Sequence, residues 1–296
     1  MNAVALSRRQ LLTGAAVGGG LLVAWWAWPR RYTPALQTGA DEHLFGAWLT
    51  VAADGVVTVA VPQLEMGQGV TTLLPQIVAQ EMGAAWGQIA VATIPPSGAQ
   101  ANVPLAAKWA PLWSLVPAVA DEQGSYLARR FAERSNFSAT AEGSSVAAYE
   151  ADCRAAGAAA RAMLAMAAGE RWGVAWEECE AQEGFILHGA KRLRFGDLAE
   201  EAAAMTPPDP PPLRPQPPGE RPLAGGNPGP GDFPRLDLPA KVDGSFLFAA
   251  DVRLPGMVHA SIRHGPVGFP ELGEVDAARA GGMGLVGLVR SKRWLA

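Results

Sequence analysis

The nine residues Leu64 to Thr72, LEMGQGVTT, set one glutamine between two glycines, at the junction of a strand-like run and a helix-like run. Upstream, HLFGAWLTVAADGVVTVAVPQL, starting at His43, is rich in Val, Leu, Trp and Thr on both sides of Asp54-Gly55, a turn pair suited to a hairpin. Two antiparallel strands are expected there, with the Gly-rich loop at the end of the second. Downstream, Thr71 or Thr72 is expected to cap a helix running to Met82, with Gly83 as its stop. Ile89 to Ile94, IAVATI, reads as a third strand. The unit is strand, strand, Gly-rich turn, helix, strand. Its loop therefore lies at a strand end, where ligands reach it.

Ser97 to Phe137 carries no sustained period and reads as an irregular insertion, although KWAPLWSLVPAVA, starting at Lys108, has enough tryptophan and leucine to pack on something. AEGSSV, Ala141 to Val146, precedes AYEADCRAAGAAARAMLAMAAGERWG, whose alanines, leucine and methionines favour one long helix. Gly157 inside it costs about 1 kcal/mol relative to alanine, which points to close backbone packing. FILHGAKRLRF reads as a hairpin about Gly189, and GDLAEEAAAM as a short acidic-faced helix. Thr206 to Pro234 suits neither regular element, because prolines lack the amide hydrogen and fix the backbone near polyproline II. It is the expected linker. Beyond it, KVDGSFLFAADVRLPGMVHASIRHG has two β-rich runs around Leu254-Pro255-Gly256, DAARA reads as a helix start, and LVGLVR, Leu285 to Arg290, as a strand. This last stretch reads as the first half of a β/α domain.

With 296 residues, 49% of them apolar, the chain can bury a sizeable core. A formal charge of -4 gives no basic footprint for nucleic acid. Cys153 and Cys179 are too few for a disulfide framework or a zinc site, four scattered histidines add no ligand cluster, and both thiols read as buried apolar groups. At the start, SRRQLLTGAAVGGGLLVAWWAW puts Arg8 and Arg9 directly before a glycine-softened apolar run. From Gly14 to Trp28 that run has about fifteen residues, where crossing a bilayer takes about 20. Ser7 to Leu12 resembles the twin-arginine signal, which implies export of a folded, cofactor-loaded protein to the periplasm; the plainer alternative is the basic start of a general secretory signal. Trp25, Trp26 and Trp28 with Arg30 and Arg31 suit a membrane interface, so residues 14–31 are the candidate for membrane association. Thr38-Gly39-Ala40 is small enough to be a cleavage site.

EMGQG with its threonine-bearing helix, RAAGAAARAMLAMAAGERWGV with the hairpin after it, and PRLDLPAKVDGSFLFAADVRLPGMVHASIRHGPV together resemble the large molybdopterin-binding subunit of the xanthine dehydrogenase and aldehyde oxidase family. The last block looks like the family's a/b hammerhead domain. Its place after the Gly-Gln-Gly loop is similar to the isoquinoline 1-oxidoreductase β-subunit branch. The resemblance implies an α+β chain: a signal segment over 1–40, part of the molybdopterin-binding domain over 41–205, the Pro/Gly-rich linker over 206–234 and a partial hammerhead over 235–296. It also implies that Gly67, Gln68 and Gly69 bind the molybdenum cofactor, with Gly143, Ser144 and Ser145 as a second contact.

The chemistry of those residues agrees with that implication. A glutamine amide offers two donors and an acceptor without charge, so it can bond a metal's oxygen ligand or a pterin edge without coordinating the metal. Bare glycines let the backbone approach a planar ligand, and free amides at a helix start suit a phosphate. The plainer alternatives are a glycine-flanked turn for the first segment and an ordinary helix N-cap, by Ser144 or Ser145, for the second. Glu65 reads as a solvated or salt-bridged carboxylate rather than a catalytic one.

In the family the pterin's dithiolene holds the molybdenum, so no protein metal ligands are expected. The implied reaction is oxidative hydroxylation of an aldehyde or N-heterocycle with water-derived oxygen and a glutamate as base. No segment here matches the one bearing that glutamate, so the catalytic residue is unknown. The chain is expected to be the N-terminal portion of a longer catalytic subunit, inactive alone. Its expected partners are the rest of that subunit, an iron-sulfur small subunit, because two cysteines cannot ligate a cluster, and a c-type cytochrome acceptor. The alternative is a non-catalytic binding or anchoring module that retains the scaffold.

Overall fold

β-branched runs on either side of tight turns produce a four-stranded sheet ordered β1 (Glu42–Phe45), β2 (Leu49–Ala52), β3 (Val57–Val61) and β4 (Ile89–Thr93). The computed structural model that shows this describes residues 32, 35–121, 124–215, 233–266, 270–276, 279 and 284–296. The signal segment up to residue 31 and residues 216–232 of the linker lie outside them. β1, β2 and β3 are antiparallel, with Val51 opposite Val57. Asp54-Gly55 closes the second hairpin, and the Asp54 carboxylate accepts the Val56 amide hydrogen at 3.0 Å. The first β-rich run forms two strands rather than one, because the chain turns at Gly46, whose φ is 69°.

β4 lies parallel to β3, with Val57 beside Ile89, so the chain must return between them through a crossover helix, α1 (Val70–Met82). The LEMGQG loop is thereby held at the C-terminal end of β3. Gly83 ends the helix in the left-handed conformation, as expected. Its expected start does not hold. Gly69 occupies the N-cap position with no side-chain cap of its own, and neither Thr71 nor Thr72 precedes the helix.

The insertion is helical, contrary to expectation: α2 (Val103–Lys108), α3 (Ala110–Trp113), α4 (Pro117–Ala120) and α5 (Tyr126–Arg134). Pro104, Pro111 and Pro117 stand in the first turns of the first three, where a missing amide hydrogen costs nothing. Those three are too short for a period to develop. Trp113 stacks on Phe131 with ring centres 4.1 Å apart, which gives the insertion its own small aromatic core.

The alanine-rich stretch is one helix, α6 (Ser145–Trp172), closed by Gly173 in the left-handed conformation. It crosses α1 at Gly157, where an added Cβ would lie 2.8 Å from the Val78 carbonyl oxygen. The hairpin about Gly189 joins β6 (Phe185–His188) to β7 (Lys191–Arg194), and β5 (Glu180–Gln182) adds a third strand too short to read from sequence. α7 (Phe195–Ala203) follows. Leu49, Leu74, Met82, Leu164 and Phe195 are among the fully buried side chains of the core these elements share. Cys153 is buried within it, while Cys179 is only half-buried.

Residues 206–215 of the linker form no helix or strand, as their prolines dictate. They are held by hydrogen bonds: Arg154 Nη2 donates to the Arg214 carbonyl at 2.6 Å, and the Arg214 amide donates to buried Glu81 at 2.9 Å.

The chain divides into two units, Met1–Leu238 and Pro239–Ala296. Where they join lies α8 (Leu238–Asp243), and the second unit pairs β8 (Arg263–His264) with β9 (Trp294–Leu295). The expected strand over 285–290 does not form, apart from one bridge from Arg290 to Leu295, and the runs around Leu254-Pro255-Gly256 are likewise unpaired up to β8. Their apolar side chains find no covering layer: Leu247 is 72% and Val286 79% exposed. The DAARA segment lies partly outside the described residues.

Candidate functional site

The end of β3 delivers an extended chain into the turn 64–69, and glycine at 67 and 69 allows the positive φ values, 98° and 86°, that bend it into α1. Such a helix start presents unsatisfied amides. Glu65 takes them. Its Oε1 accepts from the Gly67 and Gly69 amides at 2.8 and 3.0 Å, and its Oε2 accepts from the Thr71 amide and hydroxyl at 3.1 and 2.9 Å. Burial works against the charged form, but the hydrogen bonds from Gly69, Thr71 and Gly67 outweigh it and hold the carboxyl below its ordinary pKa. Glu65 is therefore the helix cap that the threonines were expected to be. Of the helix-start amides expected to receive a phosphate, those of Thr71, Thr72 and Leu73 are occupied, by Glu65 and the Gly69 carbonyl.

Gln68 is exposed, and its amide closes on its own turn. Oε1 accepts the Met66 amide hydrogen at 2.6 Å and Nε2 donates to the Leu64 carbonyl at 2.7 Å. Both partners lie within four residues, so one rotamer change frees the whole amide. A Cβ built on Gly67 would meet no atom within 4 Å, which leaves that face of the loop open to a flat ligand.

The second candidate segment reaches the same corner of the molecule. The Leu64 amide donates to Thr140 Oγ1 at 3.0 Å, and Gln63 Nε2 donates to the Ala139 carbonyl at 3.0 Å. The Ser145 hydroxyl donates to Gln63 Oε1 at the start of α6. Asn102 Nδ2, fully buried, donates to both Ala139 O and Ser144 Oγ, at 2.9 and 2.8 Å. Gly143 has φ 65° and nothing within 4 Å of an added Cβ. Ser144 occupies the N-cap of α6 without accepting a helix amide; its hydroxyl donates to Ala141 O at 2.8 Å. Sequence reading missed Gln63 and Asn102. The signal available was two amide side chains at the ends of unrelated segments, which says nothing about their meeting.

Hollows of about 700 Å³ beside Arg161 and Trp176, and about 460 Å³ beside Trp48 and Met163, lie elsewhere, and neither is lined by Gln68. The loop itself lies exposed, with Leu64 and Met66 largely open to solvent beside Gln68. Among the described residues no group of three His, Cys, Asp or Glu could hold a metal ion, and no helix is long and apolar enough to cross a membrane. As a cradle for molybdopterin, the loop offers an uncharged amide that a rotamer change frees and a bare glycine face on either side of the Gln63 bridge, which fit a pterin edge. The start of α1 does not fit its phosphate.

Residues 5–97 match the model of a molybdopterin cofactor-binding domain. The chain is 30% identical over 264 residues to the isoquinoline 1-oxidoreductase subunit beta of Brevundimonas diminuta, covering 78% of this chain and 30% of that protein. It is 25% identical over 225 residues to a membrane-bound aldehyde dehydrogenase (pyrroloquinoline-quinone) of Gluconacetobacter polyoxogenes, covering 75% of this chain and 24% of that protein. The chain thus spans less than a third of the length of these curated relatives. The matched domain makes molybdopterin the cofactor; the quinone in the second relative's name has no counterpart in that domain's description.

Proposed function

We propose, for a chain that belongs to the xanthine dehydrogenase and aldehyde oxidase family of molybdopterin-binding large subunits, that it supplies the first part of the cofactor site in a molybdenum hydroxylase acting on an aldehyde or N-heterocycle. The observation that carries this reading is the position of Gln68 on an open loop of the matched domain, tied through Gln63 and Thr140 to the Gly143–Ser145 turn. When bound, the cofactor supplies the two-electron redox centre. Gln68 contributes a neutral donor and acceptor beside it, and Gly67 and Gly143 keep the approach clear of side chains. Glu65 stays ionised and bonded within the loop, so it holds the turn in shape rather than moving a proton.

On this reading an iron-sulfur subunit and a c-type cytochrome carry electrons away, further polypeptide supplies the catalytic glutamate, and the Arg8-Arg9 signal directs a loaded complex to the periplasm. Fractionation of cells making the Arg8→Lys, Arg9→Lys chain with its neighbours tests the route, and unchanged export would count against it.

The decisive experiment measures molybdenum and pterin in the complex carrying Gln68→Ala. Folding should be unaffected, within about 0.5 kcal/mol, because an exposed loop amide adds little to the core, while bound cofactor falls. Full cofactor with full activity would remove Gln68 from the site. A second reading, a non-catalytic binding module, is favoured by the exposed apolar side chains of residues 239–296, and cofactor absent even from the unmutated complex would select it.

A further inference from the structure

We propose that Arg235 is a positioning residue for the cofactor loop: it latches the chain emerging from the Pro-rich segment onto Glu65 and Gly67, and so fixes the turn that carries Gln68. The inference rests on the reading of that loop given above. The guanidinium lies between two sets of acceptors. Nε and Nη2 donate to the two oxygens of Asp237, at 2.9 and 2.7 Å, while Nη1 donates to the Gly67 carbonyl at 3.1 Å and Nη2 approaches Glu65 Oε1 at 3.5 Å.

A half-exposed arginine beside a single carboxylate would be a weak ion pair. Here the fork to Asp237, whose side chain is 8% exposed, fixes the plane of the guanidinium and directs its remaining donor at Gly67. The flanking residues are seated on the same elements. Trp86 packs edge-on against Phe233 at 5.0 Å and donates its indole hydrogen to the Pro234 carbonyl at 3.3 Å. The Leu236 amide donates to Thr72 Oγ1 at 3.1 Å, within the first turn of α1.

The consequence concerns Gln68. At rest its amide helps close the turn through Met66 and Leu64, and turning it toward a ligand removes both bonds. Glu65 and Arg235 then hold its Gly67–Gly69 side, with only the Leu64–Thr140 bond at its start. Without the latch the turn opens when Gln68 leaves it, and the amide is no longer presented from a fixed position.

The test uses the full chain, with amide hydrogen exchange read residue by residue, and the complex, with its pterin content measured. Arg235→Ala should quicken exchange at Gly67, Gly69 and Thr71 by about tenfold, the weight of one or two lost bonds. Val78 and Ala79, deep in α1, should be unchanged. Arg235→Lys, which keeps the charge but not the planar fork, should not restore the slow rates. The loop effects of Arg235→Ala and Glu65→Gln should be less than additive when combined, since both act on one turn. In the complex, Arg235→Ala should retain less pterin. Wild-type rates at Gly67 and Gly69, equal acceleration throughout α1, or faster loop exchange with full pterin retention would each overturn the latch. A wild-type complex that holds no pterin would instead sink the proposed function, and the loop exchange alone would then decide the latch.

Discussion

Glu65 accepts three backbone amides and a hydroxyl, in a sequence where the neighbouring threonines look like the capping residues. A carboxylate can satisfy more donors than a hydroxyl and favours the positive end of the helix dipole, so it wins the position. This fixes a pH dependence. Its folded pKa lies below the ordinary glutamate value, so its stabilising effect is complete above that ordinary value and is lost as pH falls through the folded pKa. Urea unfolding of the wild type should therefore lose stability on acidification below about pH 4.5. Glu65→Gln should be less stable by about 2 kcal/mol at pH 7 and show less of that acid dependence. An unchanged midpoint would mean the loop amides find water as good a partner.

At the scale of elements, α1 and α6 approach so closely at Gly157 that two large terms oppose each other. Alanine is the better helix former by about 1 kcal/mol, but its Cβ would lie 2.8 Å from the Val78 carbonyl oxygen and 2.9 Å from Glu81 Cβ. The first of these is backbone and cannot swing aside. Overpacking of this kind costs about 1–3 kcal/mol, so Gly157→Ala should lower the urea midpoint; a rise would show that the helices separate freely. The glycine's meaning was legible because helix propensity is local and its violation stands out. The hairpins about Asp54-Gly55 and Gly189 were legible for the same reason. Most of the insertion was not, because three prolines open helices of only four to six residues, shorter than any window over which a period can be counted.

Over the whole molecule, what the sequence discloses falls off with the distance in chain between partners. The chemical type of Gln68 and its glycine flanks were readable in six residues, whereas Arg235 stands 170 residues from Glu65, and nothing local marks either as the other's partner. The same argument governs the second unit. FLFAADVRL and LVGLVR are as apolar and β-rich as strands, yet a strand exists only when another chain segment accepts its hydrogen bonds. Among the described residues of 239–296 none is buried, and β8 and β9 are two residues each. Protection from exchange needs buried, bonded amides. Amides at Leu247, Val252 and Leu254 should therefore exchange near the rate of an unstructured peptide, while those of Val59 in β3 and Leu164 in α6 are slowed by the global stability of their unit. Adding the polypeptide that pairs with these runs should slow the first set and leave the second as it was. Slow exchange at Leu247 and Val252 in the chain alone would show that the second unit already has a core, and its apolar residues would need another explanation.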